Sequence, residues 1–102
     1  AGLRQLELGV GLALGDAANR HPPELANYDA RGERIDAVTF HPSWHEIMRL
    51  ATAAGVHCNP WLDPRPGAQV ARAALVHLHA QAENGTQCPL TMTYACVPVL
   101  RR

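Results

Sequence analysis

The chain has 102 residues, nine basic and nine acidic side chains, six histidines and 47% hydrophobic positions. That length holds one domain at most and buries roughly 60–70% of the surface the unfolded chain exposes. The charge balance leaves no basic stripe for nucleic acid and no charged run for a membrane surface, and no apolar stretch reaches the ~18 residues of a membrane span.

Residues Gly2–Asn19 carry two overlapping periods. Leu3, Leu6, Val10, Ala13, Leu14 and Ala17 fit a helix stripe, while Leu6, Leu8, Val10, Leu12 and Leu14 alternate like a strand. The length of the periodic run decides for a helix. Gly9, Gly11 and Gly15 each cost about 0.5–1 kcal/mol in such a helix, so their use would be close approach of a neighbouring helix. The same glycines, with Asp36 about twenty residues on, approach a dinucleotide fingerprint. The spacing is one residue too long and no βαβ unit follows. Pro22-Pro23 ends the element.

His21–Asp36 reads as a polar connection with a short helical turn at Glu24–Tyr28 and a turn at Arg31-Gly32-Glu33. Val38-Thr39-Phe40 is extended on the approach to Pro42. Ser43 is read as a helix N-cap, with Glu46 completing a capping box. Trp44, Ile47, Met48, Ala51 and Ala54 line one face as far as Gly55, the stop. His45, Glu46, Arg49 and Thr52 face the other way. Val56–Pro66 is a proline-rich loop with Trp61 as its anchor in the core.

A longer helix follows over Gly67–Glu83, with Pro66 at its start. Ala71, Ala74, Leu75, Leu78 and Ala82 form its apolar stripe, and Arg72, His79, Glu83 and Gln69 gather on the other side. His79 and Glu83 read as a salt-linked pair on a solvated face or at a domain interface. Asn84-Gly85 makes a tight turn in which Gly85 supplies a left-handed cap. Asn84-Gly85-Thr86 also matches a glycosylation acceptor, but the turn explains it. The last helix, Leu90–Leu100, is uncharged all round, which places it at the centre of a larger core. Pro98 predicts a kink or break near Tyr94–Pro98.

Chemistry-bearing patterns are sparse. Cys58, Cys88 and Cys96 lack CxxC spacing and no signal peptide precedes them, so they read as buried, reduced thiols of a cytosolic protein. His41 and His45 are four apart, but Ser43 starts the helix between them, so they do not share a face for metal. His57-Cys58 names a base and a nucleophile, yet neighbours in a chain rarely meet side chain to side chain and no third group orients them. Thr91, Thr93 and Tyr94 are hydroxyls on an apolar helix. They either bond back to the preceding turn or line an apolar ligand pocket.

Several ordered blocks together carry a family likeness: Phe40-His41-Pro42-Ser43-Trp44-His45; Arg65-Pro66-Gly67-Ala68 with Val70-Ala71-Arg72-Ala73-Ala74; and Cys88-Pro89-Leu90-Thr91-Met92-Thr93-Tyr94-Ala95 with Pro98. Pro22-Pro23-Glu24-Leu25, Tyr28-Asp29 and Gly32-x-Arg34-x-Asp36 fit the same pattern. The chain resembles the acyl-CoA dehydrogenase superfamily, in its alkylation-response AidB-type branch. The resemblance implies an all-α fold of antiparallel helices with long connections, residues 1–102 being part of an N-terminal helical domain. It implies FAD in the parent protein, held by domains beyond this segment, and neither cofactor-binding nor catalytic residues here. The parent would be an oxidoreductase and a cytoplasmic homo-oligomer, with DNA contact only through a region absent here. Thr91, Met92 and Tyr94 would form part of the wall beside the acyl pocket, and Cys96 stands where a smaller residue is expected. An initial Ala and an uncapped Arg101-Arg102 suggest a piece of a longer protein. The rival reading is a free-standing helical interaction module without flavin.

Overall fold

The computed structural model describes residues 8–102. Five helices and one β-hairpin follow one another: α1 (Leu8–Arg20), β1 (Glu24–Tyr28), β2 (Arg34–Thr39), α2 (Pro42–Ala53), the single turn α3 (Asn59–Leu62), α4 (Ala68–Ala82) and α5 (Gln87–Leu100). The expectation of an all-α fold is therefore corrected to helices plus a two-stranded antiparallel sheet.

The segment expected to be a polar connection with a helical turn is that hairpin. Leu25 faces Val38, Ala26 faces Ala37 and Tyr28 faces Arg34. Between the last two pairs β2 carries one extra residue, a bulge at which Asp36 takes a positive φ of 44°. The turn forms where the sequence placed it. Asp29 Oδ1 accepts the amides of Arg31 and Glu33 at 2.8 and 2.9 Å, and Gly32 turns through φ 85°. Every strand residue is exposed, so neither face had a burial pattern to read. Aromatic stacking holds the hairpin at its root. His21 and His41, which flank it, stack at 4.5 Å, and Phe40 stacks on Trp44 at 4.1 Å.

The cap of helix α2 lies two residues before the expected site at Ser43. Pro42 is its first residue and His41 is the cap, its Nδ1 accepting from the Ser43 amide at 3.2 Å. Glu46 does not close a capping box. It pairs with Arg49, which donates to its two oxygens at 2.6 and 2.7 Å. The predicted apolar face is the inner one, Ile47 and Ala51 being buried together with Leu50. Gly55 ends the helix at φ 73° in a Schellman turn: its amide donates to Thr52 and the Val56 amide to Ala51.

Helix α1 crosses the end of α4 through its glycines. A Cβ on Gly11 would lie 3.4 Å from that of Ala82, and one on Gly15 would lie 1.9 Å from the Ala82 carbonyl oxygen. Close approach is thus the use of these two glycines. The part of the first expected helix before Leu8 lies outside the described residues.

The core is small. Ala51, Val56 and Leu90 are its centre, with Met48, Ala54, Leu75 and Val76 packed round them. The chain extends 55 × 39 × 17 Å with a radius of gyration of 16.0 Å, against about 13 Å for a compact domain of 100 residues. It is a slab roughly one layer of elements thick, where domains ordinarily have two or three.

Candidate functional site: helix α5 and its supports

Helix α5 begins at Gln87, three residues earlier than expected, and runs unbroken to Leu100. The predicted break at Pro98 is absent. Pro98 cannot donate to the carbonyl four residues back, which belongs to Tyr94. The indole Nε1 of Trp61 donates to that carbonyl instead, at 2.9 Å. An incoming side chain satisfies the group the proline leaves free, so the helix continues. Trp61 is the anchor the loop was expected to contain, and its ring lies 5.1 Å from that of Tyr94.

The turn before α5 is built from polar groups. Glu83 leaves α4 in an extended conformation, and its carboxylate accepts the Gly85 amide at 2.6 Å and the Thr86 amide at 2.7 Å. Gly85 does not take a left-handed φ. A Cβ there would lie 2.8 Å from the Glu83 carboxylate, so a larger residue would push that side chain off its bonds to the turn, and the glycine is not a left-handed cap. Thr86 is fully buried and its hydroxyl meets His79 Nε2 at 2.8 Å. His79 and Glu83 are therefore not a pair on a solvated face. Both are buried, and each is bonded to Thr86. Burial presses the His79 pKa below its ordinary value, against an opposing pull from the Glu83 charge. Burial alone would raise Glu83, but the bonds from Thr86 and Gly85, with His79 nearby, hold its carboxyl below the usual range.

The three expected wall residues divide. Thr91 and Met92 lie on the outer side of α5, both exposed, Met92 at 64%. Tyr94 lies on the inner flank, half-buried, under the Arg72 guanidinium, 3.5 Å from its ring centroid. Its hydroxyl donates to Gln69 Oε1 at 2.6 Å. Thr93 bonds back to the Pro89 carbonyl at 3.1 Å, the bland alternative for a helix hydroxyl. With Thr91 and Met92, the outer face carries Cys88, Ala95, Cys96 and Val99, all exposed and none charged, which corrects the expectation of buried thiols: Cys88 and Cys96 are exposed and Cys58 is only partly buried.

Other candidate groups resolve simply. Among the described residues no three histidine, cysteine, aspartate or glutamate side chains gather to hold a metal. His57 and Cys58 do meet, Nε2 to Sγ at 3.2 Å, which corrects the expectation that neighbours would not. His57 Nδ1 is buried without a partner, so the orienting third group of a catalytic set is missing. Among the described residues no helix is long and apolar enough to cross a membrane. The buried His79–Thr86 contact was missed because its members lie on opposite sides of the turn between α4 and α5, where no single helix or strand period connects them.

Residues 7–102 match the family described as the adaptive response protein AidB N-terminal domain. The chain is also 51% identical over 98 residues to an Escherichia coli (strain K12) protein named "Putative acyl-CoA dehydrogenase AidB", covering 95% of this chain and 18% of that protein. The chain thus spans less than a fifth of the relative's length. On a match along nearly all its length, the chain belongs to the AidB N-terminal domain family of acyl-CoA dehydrogenase-like proteins.

Proposed function

We propose that this slab is the N-terminal helical domain of an FAD-dependent acyl-CoA dehydrogenase-like protein. In this reading it lies against the remaining flavin-binding domains, and the outer face of α5 covers the flavin and acyl pocket. The observation that carries the reading is an inverted hydrophobic balance. Among the described residues only Ile47, Leu50, Ala51, Val56 and Leu90 are buried hydrophobics, while eleven large hydrophobics are exposed, Met92, Val99 and Leu100 among them. A surface with that much bare apolar side chain is built to be covered.

Within this proposal Thr91 and Met92 supply the wall and Tyr94 holds it from behind, through Arg72 and Gln69. The outer face has a thioether, a hydroxyl and small side chains but no cation. That suits the apolar part of a flavin or an acyl chain, not a pyrophosphate, which other domains would hold. FAD, when bound there, supplies the redox chemistry. This face orients nothing by charge and serves to exclude water, and the chain by itself carries out no redox step. The reading keeps the protein in the cytoplasm, as a homo-oligomer whose DNA contact lies elsewhere.

The test uses the whole protein that carries this chain. Met92→Arg places a charge on the covered face, and Leu25→Arg places one on the exposed hairpin as a control. Met92→Arg is expected to weaken FAD retention, or the spectral response of bound flavin to an acyl thioester, at least tenfold, with Leu25→Arg unchanged. Unaltered flavin binding and ligand response in Met92→Arg would remove the proposed role.

A further inference from the structure

A cleft of about 330 Å³ opens between α3 and the first half of α4, away from the outer face of α5. Its lining is apolar at Pro60, Ala71 and Leu75 and charged at Asp63, Arg65 and Arg72. The charges do not cancel. Asp63 and Arg65 form an ion pair with each other. Arg72 has no carboxylate within ion-pair distance among the described residues.

Arg72 is also fixed and partly dehydrated. It is half-buried, its Nε donates to the Val56 carbonyl at 2.8 Å, and its guanidinium lies over the Tyr94 ring. A carbonyl and an aromatic face orient a cation without neutralising it. The protein bond runs through Nε, which leaves the two terminal nitrogens for a forked contact. A held, uncompensated guanidinium beside an apolar cleft selects an anion with an apolar body.

We propose that this cleft binds a small organic monocarboxylate whose body is about the size of one aromatic ring. The carboxylate sits on Arg72 and the ring lies against Pro60, Ala71 and Leu75. The Asp63–Arg65 pair at the same cleft adds no net charge, so one negative charge on the ligand is matched.

Saturation-transfer NMR on the whole protein that carries this chain tests the site, with benzoate as the probe and benzamide as its uncharged counterpart. A ligand of nine heavy atoms held by one charge should saturate on the order of 1–10 mM. Benzamide should bind at least fivefold more weakly. Ala71→Leu, at an exposed helix position that threatens no packing, fills the cleft and should abolish the benzoate signal. A thermal melt of that variant establishes that it remains folded. Three results each overturn the proposal: no saturable benzoate signal, benzamide equal to benzoate, or a benzoate signal unchanged in folded Ala71→Leu.

Discussion

Helices α4 and α5 are consecutive and similar in length, yet they place their polarity in opposite ways. The end of α4 turns His79 and Glu83 inward and leaves Val70 exposed near its start. Helix α5 turns Met92, Val99 and Leu100 outward. The inward polar groups are bonded to Thr86 and Gly85 and build the connection between the helices. The outward apolar groups touch little within the chain. An amphipathic stripe marks the side facing the larger apolar mass, and in this chain that mass need not be its own core.

The comparison breaks most completely where α4 meets α1. Gly15→Val would drive a side chain into the Ala82 carbonyl, whose oxygen lies 1.9 Å from an added Cβ. Backbone cannot yield as a flexible side chain does, so the variant should lose about 3 kcal/mol of stability, read by urea unfolding. Gly32→Ala is the contrast. It has nothing within 4 Å and only its φ of 85° to strain it, so about 1 kcal/mol is expected.

The polar connection comes next. Glu83→Gln exchanges a carboxylate for a neutral amide at two backbone donors and should cost about 1–2 kcal/mol. The pH dependence has a fixed sign. His79 and Glu83 both have folded-state pKa values below their ordinary ones. The unfolded chain therefore takes up protons first as the solution is acidified, and stability falls as pH is lowered. The His79 contribution begins to be lost below about pH 6.5 and the Glu83 contribution below about pH 4.5. His79→Gln should flatten the part of the stability profile that begins just below about pH 6.5 and leave the Glu83 limb in place.

Smaller again is the Trp61–Tyr94 bond. Trp61→Phe removes the donor and should cost about 1 kcal/mol beyond its lost packing. Pro98→Ala restores a backbone donor to the same carbonyl. The double variant should therefore lose less than the sum of the two singles, and a double-mutant cycle reads that difference directly.

These cases also show what could be read from residues alone. The inner face of α2, the Gly55 stop, the turn at Arg31-Gly32-Glu33 and the span of α4 follow from period and turn chemistry, which act over a few residues. The hairpin did not, because strands exposed on both faces carry no alternation and Glu24-Leu25-Ala26 favours a helix locally. The continuity of α5 did not, because it depends on Trp61, more than thirty residues away. The inward face of α4 did not, because burial of His79 and Glu83 is made tolerable by Thr86 and Gly85 across a turn. For the wall, the uncharged character of α5 was legible, but which of its sides is covered within the chain depends on where α4 lies.

The smallest expected effect is the sharpest on the outer face. Met92→Lys replaces a 64% exposed thioether on a helix that already presents it to water. No contact in the core is lost, and lysine is as good a helix former as methionine. In the 102-residue chain alone the change in unfolding free energy should stay within about 0.5 kcal/mol. In the whole protein the same substitution buries a charge if that face is covered, and the cost should rise to several kcal/mol or be relieved by loss of flavin. A thermal melt of each form with and without added FAD measures the gap. Equal and negligible effects in both would mean that the apolar face of α5 is simply tolerated in water, and that the inversion between the two helices has no covering domain as its cause.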